Sequence, residues 1–276
     1  MKVALLALRG RAEAVAAARE ATAWLRKRDV TVAEGNLDHP DTVDAAVRDA
    51  RIVCVFGGDG TMLRAARLIA PHGGGILGVN LGRLGFLTIA SVSELPLILE
   101  DVLAGRYELE DRMLLEATLT RDGRVVERAL ALNDVVVARG REVRSVHVRV
   151  QIDGEAFTTY WADGLIVATA TGSTAYAFSV GGPVIIPRAR TMLFVPIAPH
   201  LSFRNAVVLD EGQRLRLVPE GDARLSVDGQ IERDLESGDV IEVTPAAVNA
   251  RFVRTAAVRP FLALLRDKIL KEGKGL

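Results

Sequence analysis

Apolar residues recur with two different periods along the chain, and the first hundred residues carry the longer one. Short runs of aliphatic or β-branched residues are followed by longer segments in which apolar residues recur at helical spacing. This alternation is typical of an α/β domain and predicts an open, mostly parallel sheet. The predicted strands lie at residues 3–8, 30–33, 52–56 and 76–79, and the predicted helices lie at 13–28, 41–50, 62–69 and 92–103, with Asp41 available to cap the second helix.

From about Tyr107 the period of the apolar residues changes to two, as in residues 146–152 and 214–218. Asp-Gly pairs at 122–123, 153–154 and 228–229 predict tight hairpin turns, so we expect an all-β second domain. Residues 261–270 are amphipathic and follow Pro260, which predicts a terminal helix that packs back on the first domain. The predicted divisions are therefore an α/β domain at 1–106, an all-β domain at 107–250 and a C-terminal segment at 251–276.

Composition excludes several classes of function. Lys plus Arg equals Asp plus Glu at 35 each, so no net positive field favours nucleic acid as a partner. No apolar stretch approaches the ~18 residues of a membrane span, and no signal segment is evident, so we expect a soluble, cytoplasmic protein. The single cysteine, Cys54, lies in an apolar run and is expected to be a small core group. The four histidines lack ligand spacing, which disfavours zinc hydrolysis.

The loop from Gly57 to Thr61, Gly-Gly-Asp-Gly-Thr, is the strongest local signal of chemistry. Glycines directly after a strand let backbone N–H groups approach an anion, and the next helix presents its positive end, so a phosphate site is expected. An ordinary strand-to-helix turn would also explain the glycines. The embedded Asp59 favours the phosphate site, because a carboxylate beside a phosphate is best explained if it bridges a metal or accepts a proton from a hydroxyl.

Two familiar nucleotide motifs do not apply. No Gly-x-x-x-x-Gly-Lys-Ser/Thr sequence is present, so the lysine of a P-loop is missing. Residues 73–78 match Gly-x-Gly-x-x-Gly by letters, but they precede a strand and open no helix, which disqualifies them as a dinucleotide fingerprint.

Two further segments leave alternatives open. Asn80 to Leu87 follows a predicted strand at the edge where open α/β sheets bind ligands, and its two glycines with Arg83 could form a pocket wall or a plain turn. Asp163 to Tyr176 joins a buried strand to a turn with four hydroxyl groups, which suit phosphate or ribose recognition but also suit local caps.

Together with Leu-Asn-Asp at 132–134, these segments resemble the NAD kinase family in order and spacing. The loop at 57–61 alone is shared with lipid kinases of the diacylglycerol type and with 6-phosphofructokinases, and the other three segments make the match specific. The resemblance extends through Ser179, residues 181–183, 196–200 and 228–230, and so covers most of the chain from about residue 50 to 230.

The resemblance implies an NAD kinase, which moves the γ-phosphoryl group of ATP, and possibly of polyphosphate, to the adenosine 2′-hydroxyl of NAD to give NADP. It implies an α/β domain, an all-β NAD-binding domain with the NAD site in the cleft between them, magnesium held through the phosphates, and a homodimer or homotetramer. Asp59 is implied as the catalytic acid-base residue. The implied nucleotide-binding residues are Asp59, Gly60, Arg64, Asn133, Asp134, Arg144 from the neighbouring subunit, Trp161, Asp163, Thr174, Ala175, Tyr176, Ser179, Ala198 and Gln230.

The residue types themselves support the implied binding roles at two places, the Asn133–Asp134 pair and Tyr176. Asn133 and Asp134 interrupt the apolar run from Ala129 to Val137, and adjacent strand positions face opposite sides, so at least one of the two is expected to face inward with a partner. The Tyr176 ring offers a flat face, and stacking of a base on an aromatic ring contributes roughly 1–3 kcal/mol.

The chain departs from the family pattern at two places. Trp161 stands where the family commonly has a basic residue, so an ion pair with the nucleotide is lost and the selectivity between NAD and NADH is open. Residues 200–204 are one residue shorter than the family pattern. The competing functions are a lipid or sugar kinase, which would lack the Asn-Asp pair and the Thr-Ala-Tyr turn, and a noncatalytic NAD-sensing module, against which the intact Asp59 argues.

Overall fold

The computed structural model describes residues 1–82, 85–141, 144–256 and 258–272. The chain forms two compact units, one made of residues 1–111 together with residues from 250 onward, and the other of residues 112–249. We call them unit 1 and unit 2. In the described part of the chain, no helix combines the length and the apolar character needed to cross a membrane.

The strands are numbered in chain order. They are β1 Lys2–Ala7, β2 Thr31–Asn36, β3 Ile52–Phe56, β4 Gly75–Asn80, β5 Ala90–Ser91, β6 Glu108–Arg121, β7 Arg124–Ala131, β8 Asp134–Arg139, β9 Val146–Ile152, β10 Glu155–Ala162, β11 Gly164–Thr169, β12 Thr191–Ile197, β13 Val207–Asp210, β14 Leu215–Glu220, β15 Ala223–Val227, β16 Ile231–Leu235 and β17 Val240–Arg254. The helices are α1 Ala12–Arg26, α2 Pro40–Val47, α3 Asp59–Ile69, α4 Leu95–Leu103, α5 Tyr176–Ser179 and α6 Phe261–Glu272.

Unit 1 is the predicted α/β domain with a parallel sheet. Its strands run in the order β2-β1-β3-β4, all parallel, with β5 parallel to β4 and the end of β17 also paired with β4. Central strands such as β3 are apolar throughout, as expected for strands covered on both faces. Cys54 is buried in this core, and burial raises the pKa of its thiol to about 12.

The observed starts of helices α1 to α4 of unit 1 differ from the predicted ones by one to three residues, and a proline explains two of the differences. The second helix begins at Pro40, with His39 at its N-cap, so the prediction that Asp41 caps it is wrong; proline suits the first helical turn because its missing N–H needs no partner there. The fourth helix begins at Leu95 instead of Val92. A helix from Val92 would need an N–H at Pro96 to bond the Val92 carbonyl, and proline has none.

The C-terminal helix α6 packs within unit 1. The Phe261 ring lies 5.8 Å from the Phe86 ring, and the Lys268 ammonium lies 3.9 Å from the centre of the Phe86 ring. The contact is favourable because the ring face is negative. The end of the chain thus supports the segment that follows β4.

Unit 2 is all-β, as the period of two predicts. One antiparallel sheet has the order β13-β12-β11-β8-β15-β16, and a second set of strands includes β10-β9-β14-β17 and the β6-β7 hairpin. Their inward faces form an apolar core that includes Tyr160 and Phe194. The Asp-Gly pairs at 122–123, 153–154 and 228–229 all have positive φ at both residues, which is the conformation of the predicted hairpin turns.

Candidate active site

Asp59 is the first residue of α3, so the loop after β3 is only Gly57 and Gly58 and is shorter than the 57–61 segment that the sequence suggested. Its carboxylate accepts two backbone hydrogen bonds, from the Phe86 N–H at 2.9 Å and the Leu87 N–H at 3.1 Å. The two bonds hold the carboxylate in one orientation at the positive end of the helix. Asp59 is half-buried, so its oxygens remain within reach of a ligand.

Gly85 explains why the Asp59 carboxylate can approach the backbone of residues 86 and 87. A Cβ at residue 85 would lie 1.8 Å from Asp59 Oδ1, which is far below any contact that real atoms make. The Gly85 N–H is occupied by the Thr88 hydroxyl at 3.0 Å. The glycine of this segment is therefore required by the carboxylate 26 residues earlier.

Gly60 and Arg64 follow Asp59 on α3. Gly60 is exposed, and a Cβ added there would meet nothing within 4 Å. Arg64 is exposed and pairs with Asp38 at 3.4 Å, just beyond the end of β2. In the neighbouring segment, Asn80 is buried and closes a turn, since its side chain accepts from the Gly82 N–H and donates to the Gly82 carbonyl, both at 3.0 Å. Arg83, the proposed wall residue, lies outside the described residues.

In unit 2, the Asp228 carboxylate organises the Leu-Asn-Asp segment. It accepts the backbone N–H groups of Leu132 at 3.0 Å, Asn133 at 2.8 Å and Asp134 at 3.2 Å. Its own N–H donates to the Asp134 carbonyl at 2.9 Å. The run Ala129–Val137 is therefore not one strand, because β7 ends at Ala131 and β8 begins at Asp134.

Asp134 is the buried member of the predicted pair, at 6% exposure, while Asn133 is half-buried. Within the described ranges, no hydrogen bond reaches the Asp134 carboxylate. Burial, and secondarily the negative charge of Asp228, raises the pKa of Asp134 to about 7. The Asp134 carboxyl therefore changes its protonation state near neutral pH. It is the inward-facing polar group that the sequence predicts, and it has no hydrogen-bond partner from the described chain.

The four hydroxyl groups at the end of β11 and in the turn after it all have hydrogen-bond partners within the chain. Thr169 donates to the Leu132 carbonyl at 2.6 Å, Ser173 donates to the Ala170 carbonyl at 2.7 Å, and Thr174 donates to the Thr171 carbonyl at 3.3 Å. Thr171 in turn accepts from the Arg112 guanidinium at 3.1 Å. Only Ser173 and Thr174 bond a carbonyl three residues earlier, as local caps do, whereas Thr169 and Thr171 link the turn to distant residues.

The turn is packed tightly against the Asn133 segment. Thr169 N–H donates to the Asn133 carbonyl at 2.8 Å, and a Cβ at Gly172 would lie 2.1 Å from that same carbonyl oxygen. A side chain at residue 172 would therefore separate the two segments. The fold holds the Asn133–Asp134 pair and the turn that begins at Gly172 side by side.

The other predicted binding residues of unit 2 lie at strand ends and in turns. Asp163 faces the Arg139 guanidinium at 3.5 Å. Trp161 is 50% exposed, and its ring stacks on His147 with the centroids 4.3 Å apart. Ala198 adopts a positive φ of 44° and is exposed. Thr174, Ala175 and Gln230 are half-buried, and Tyr176, Ser179 and Arg144 are exposed.

Three residues of these clusters were not predicted as site residues. Asp228 and Gly85 lie in segments that match the family, but they were assigned only to a hairpin turn and to a turn or wall, and Arg112 was assigned no role. Arg112 offered a signal, because a lone arginine beside the apolar run Met113-Leu114-Leu115 is buried only if it has partners. The role of Asp228 had no local signal, since its bonds reach residues about 95 positions away.

Comparison with known families covers most of the chain. The model of the ATP-NAD kinase N-terminal domain matches residues 31–107, and the model of the ATP-NAD kinase C-terminal domain matches residues 132–255. The NAD kinase of Heliobacterium modesticaldum is 41% identical over 93% of this chain and 94% of its own length. The NAD kinase of Moorella thermoacetica is 46% identical over 79% of this chain and 70% of its own length.

Two solved structures share the fold. Yeast NADH kinase complexed with NADH superposes with a TM-score of 0.83 at 26% identity, covering 93% of this chain and 84% of that one. An NAD kinase from Archaeoglobus fulgidus in complex with ATP gives a TM-score of 0.74 at 26% identity, covering 93% of this chain and 94% of that one. With the Asp59 loop and the Asn133–Asp134 segment arranged as described, these matches show that the chain belongs to the NAD kinase family.

Proposed function

We propose that the chain transfers the γ-phosphoryl group of ATP to the 2′-hydroxyl of the adenosine ribose of NAD, giving NADP and ADP, with Asp59 as the catalytic base. One observation carries the assignment of the base. The Asp59 carboxylate stands at the start of α3 and is oriented by the N–H groups of Phe86 and Leu87. A carboxylate held in this way needs no reorganisation when a hydroxyl approaches it.

Asp59, the ribose 2′-hydroxyl and ATP each have one role in the proposed transfer. The ribose 2′-hydroxyl donates a hydrogen bond to the Asp59 carboxylate, its oxygen attacks the γ-phosphorus, and the bond to the β-phosphate oxygen of ATP breaks. In a loose transition state the nucleophile need not lose its proton early, so Asp59 first orients the hydroxyl and then takes the proton as the new bond forms. The helix N-terminus after Gly57 and Gly58 offers N–H groups to the phosphates.

ATP is proposed to bind as its magnesium complex, in which the cation neutralises the phosphates. Among the described residues, no group of three or more His, Cys, Asp or Glu side chains could hold a metal. The cation is proposed to be held chiefly through the phosphate oxygens of the nucleotide. The protein's contribution is then the orientation of the hydroxyl and of the phosphates.

The nucleoside of NAD is assigned to the Asn133–Asp134 segment. The Asp134 carboxylate has no hydrogen-bond donor from the described chain, so a hydroxyl or amino group of NAD would supply one. Further contacts are proposed for the residues that match the family motif, which are Gly60, Arg64, Arg144, Trp161, Asp163, Thr174, Ala175, Tyr176, Ser179, Ala198 and Gln230. Tyr176 is exposed and offers a ring face for stacking.

A homodimer or homotetramer is proposed as the working state, with Arg144 reaching the site of a neighbouring subunit. Exposed apolar side chains on unit 2 support it. The ring centroids of Phe157 and Phe203 lie 6.2 Å apart and both side chains are about half exposed, and Leu201, two residues before Phe203 in the chain, is fully exposed. Exposed aromatic side chains that contact each other are typical of an interaction surface. Light scattering on the purified chain and on the Phe203→Ser variant measures the number of subunits and so tests the proposed homodimer or homotetramer.

The decisive experiment for the activity measures NADP formation with each phosphoryl donor. The purified chain is incubated with NAD and either MgATP or inorganic polyphosphate, and NADP is quantified with an NADP-specific dehydrogenase. Phosphorus NMR of the product identifies the phosphorylated hydroxyl. Binding of NAD without any turnover would favour a noncatalytic NAD sensor, and phosphorylation of a lipid or sugar in place of NAD would favour the related kinases.

A further inference from the structure

Helix α6 contacts the segment that orients the candidate base, although the motifs assigned above include none of its residues. The helix begins with two hydrogen bonds to the Pro260 carbonyl, from the N–H groups of Ala263 at 3.1 Å and Leu264 at 3.2 Å. Phe261, Leu264 and Lys268 lie at i, i+3 and i+7, which places them on one face of the helix. Leu264 is buried, so this is the face that packs within unit 1.

The Phe86 ring is held by α6 at two points. Its centroid lies 5.8 Å from that of the Phe261 ring at an interplanar angle of 40°, within the range of attractive ring pairs. The Lys268 Nζ lies 3.9 Å from the centre of the same ring, close enough for a cation–π contact. Lys268 is two helical turns after Phe261, and helical side chains lean toward the N-terminus, so the lysine reaches back to the ring. Within the described ranges, aromatic and cationic groups reach Phe86 only from α6.

Phe86 also provides one of the two N–H groups that hold Asp59. Its backbone N–H donates to Asp59 Oδ2 at 2.9 Å, and the Leu87 N–H donates to Oδ1 at 3.1 Å. The N–H and the side chain of Phe86 are attached to the same Cα, so a shift of the ring also moves the N–H. The contacts of the ring with α6 therefore help to fix the direction of a hydrogen bond to the candidate base.

The two donors to Asp59 are anchored differently. The Leu87 side chain is buried, and its carbonyl oxygen lies so close to β4 that a Cβ at Gly78 would be 2.8 Å from it. Leu87 is therefore fixed by the sheet. Phe86 is only half-buried, and its ring is held by α6. Loss of the α6 contacts would keep the bond to Oδ1 and loosen the bond to Oδ2, so the carboxylate could rotate about the remaining bond.

We propose that α6 contributes to phosphoryl transfer, with Phe261 and Lys268 as positioning residues that act on Asp59 through the Phe86 ring. They act without touching the substrate, because they hold the N–H group that aims the carboxylate at the 2′-hydroxyl. A misplacement of about 1 Å at a reacting group can lower the rate by about 10²-fold, so a small rotation of the carboxylate lowers kcat. The inference rests on the proposed role of Asp59 as the base.

Kinetics of variants on α6 test the proposal. Phe261→Ala removes the ring contact and Lys268→Gln removes the cation, and we expect kcat to fall by about 10-fold and about 3-fold, with KM for NAD and for MgATP changing less than about 2-fold. Phe261→Tyr and Lys268→Arg keep a ring and a cation and should recover most of the lost kcat. The matched control is Leu262→Ala, which lies on another face of α6 at 62% exposure and should keep the wild-type kcat.

Hydrogen exchange separates this positioning role from a general effect on stability. Amide exchange of the peptide that contains residues 85–88 is followed by mass spectrometry in the full chain and in each variant. Phe261→Ala and Lys268→Gln should exchange faster at residues 86 and 87, because the Phe86 ring is released locally. Exchange in β1 and β3 should not change, since a local opening leaves the core strands closed.

A lower kcat together with faster exchange at residues 86 and 87 supports the proposal. It is overturned if kcat stays within about 2-fold of the wild type in both variants, if only KM rises, or if Leu262→Ala lowers kcat equally. If the wild type formed no NADP, the proposed function would fail. The exchange would then still decide whether α6 holds the donors of Asp59, with faster exchange in the variants supporting that role and unchanged exchange overturning it.

Discussion

Two aspartates, one in each unit, carry the candidate chemistry, and their surroundings are opposite. In unit 1, Asp59 is half-buried and accepts two backbone N–H groups. In unit 2, Asp134 is almost fully buried and accepts none from the described chain, because the adjacent Asp228 takes the three N–H groups of residues 132–134. The fold orients the first carboxylate and leaves the second without a donor.

The contrast suggests different roles for the two carboxylates, with Asp59 oriented for a reaction and Asp134 available to bind a ligand. Backbone donors cannot rotate away, so they hold the Asp59 carboxylate in place through a reaction cycle. Asp134 carries an unfavourable environment for its charge, with its pKa raised to about 7, and a bound ligand with a donor would relieve it. Variants of the two aspartates and of their neighbours test this contrast.

Replacing Asp59 by asparagine should affect turnover far more than binding. Asp59→Asn keeps the shape of the side chain but removes the base, and loss of a general base typically lowers kcat by roughly 10² to 10⁴-fold. NAD affinity should change comparatively little. Steady-state kinetics and a titration with NAD measure the two effects, with Asp41→Asn in the first turn of α2 as the control. A near-normal kcat would make Asp59 a structural residue of the loop.

Asp134 should make the stability of the protein without ligand depend on pH. Its pKa is raised in the folded state from 3.8 to about 7, so the folded state binds the proton more tightly than the unfolded state. The contribution is fully present below about pH 4 and is lost as the pH rises to about 7, with a free energy on the order of 4 kcal/mol.

Urea unfolding of the wild type and Asp134→Asn at several pH values tests this dependence. The stability of the wild type relative to the variant should fall between about pH 4 and 7 and then level off. A difference that stays constant across this range would mean that Asp134 titrates near its ordinary value and that its charge is compensated.

Adding one methyl group at Gly85 should disturb Asp59 from the opposite side. The new Cβ would lie 1.8 Å from Asp59 Oδ1, so the carboxylate or the 85–87 backbone must shift. A displacement of about 1 Å at a reacting group can lower the rate by about 10²-fold, and we expect a decrease in kcat of roughly 10- to 100-fold for Gly85→Ala. Gly82→Ala is the matched control, because a Cβ there meets nothing within 4 Å. Equal kcat values for the two variants would contradict the role of the contact.

Asn133→Ala tests whether the polar pair of unit 2 holds the nucleoside. If the Asn133 side chain bonds a hydroxyl or amino group of NAD, its removal leaves that group unpaired and should weaken NAD binding by about 1–3 kcal/mol. Calorimetric titration with NAD measures the change. The backbone bonds of residue 133 to Asp228 and Thr169 remain, so the fold should be retained. Unchanged NAD affinity would remove this pair from the nucleotide site.

The smallest effect is expected at Trp161, which stands where the family commonly has a basic residue. Without that charge the site has less electrostatic reason to distinguish NAD from NADH, and we expect the preference for NAD in kcat/KM to stay below ~100-fold, or about 2.7 kcal/mol. Trp161→Lys should increase the preference. A wild-type preference above that value would show that another group reads the nicotinamide.

Much of the fold follows from local patterns. The change from helical period to a period of two separates the α/β part from the all-β part, and the three Asp-Gly turns have the backbone conformation that the sequence predicts. Helix starts were less predictable, as Pro40 and Pro96 show, because the position of one proline outweighs the apolar spacing around it.

The family, the glycine loop after β3 and the two candidate aspartates follow from the sequence alone, because motifs and periods are local properties of the chain. The groups that surround those aspartates follow from the tertiary structure. Asp59 is oriented by residues 27 and 28 positions later, and Asp134 is deprived of donors by a carboxylate 94 positions later. Hydrogen bonding, burial and pKa depend on neighbours in space, and the fold alone brings such distant residues together.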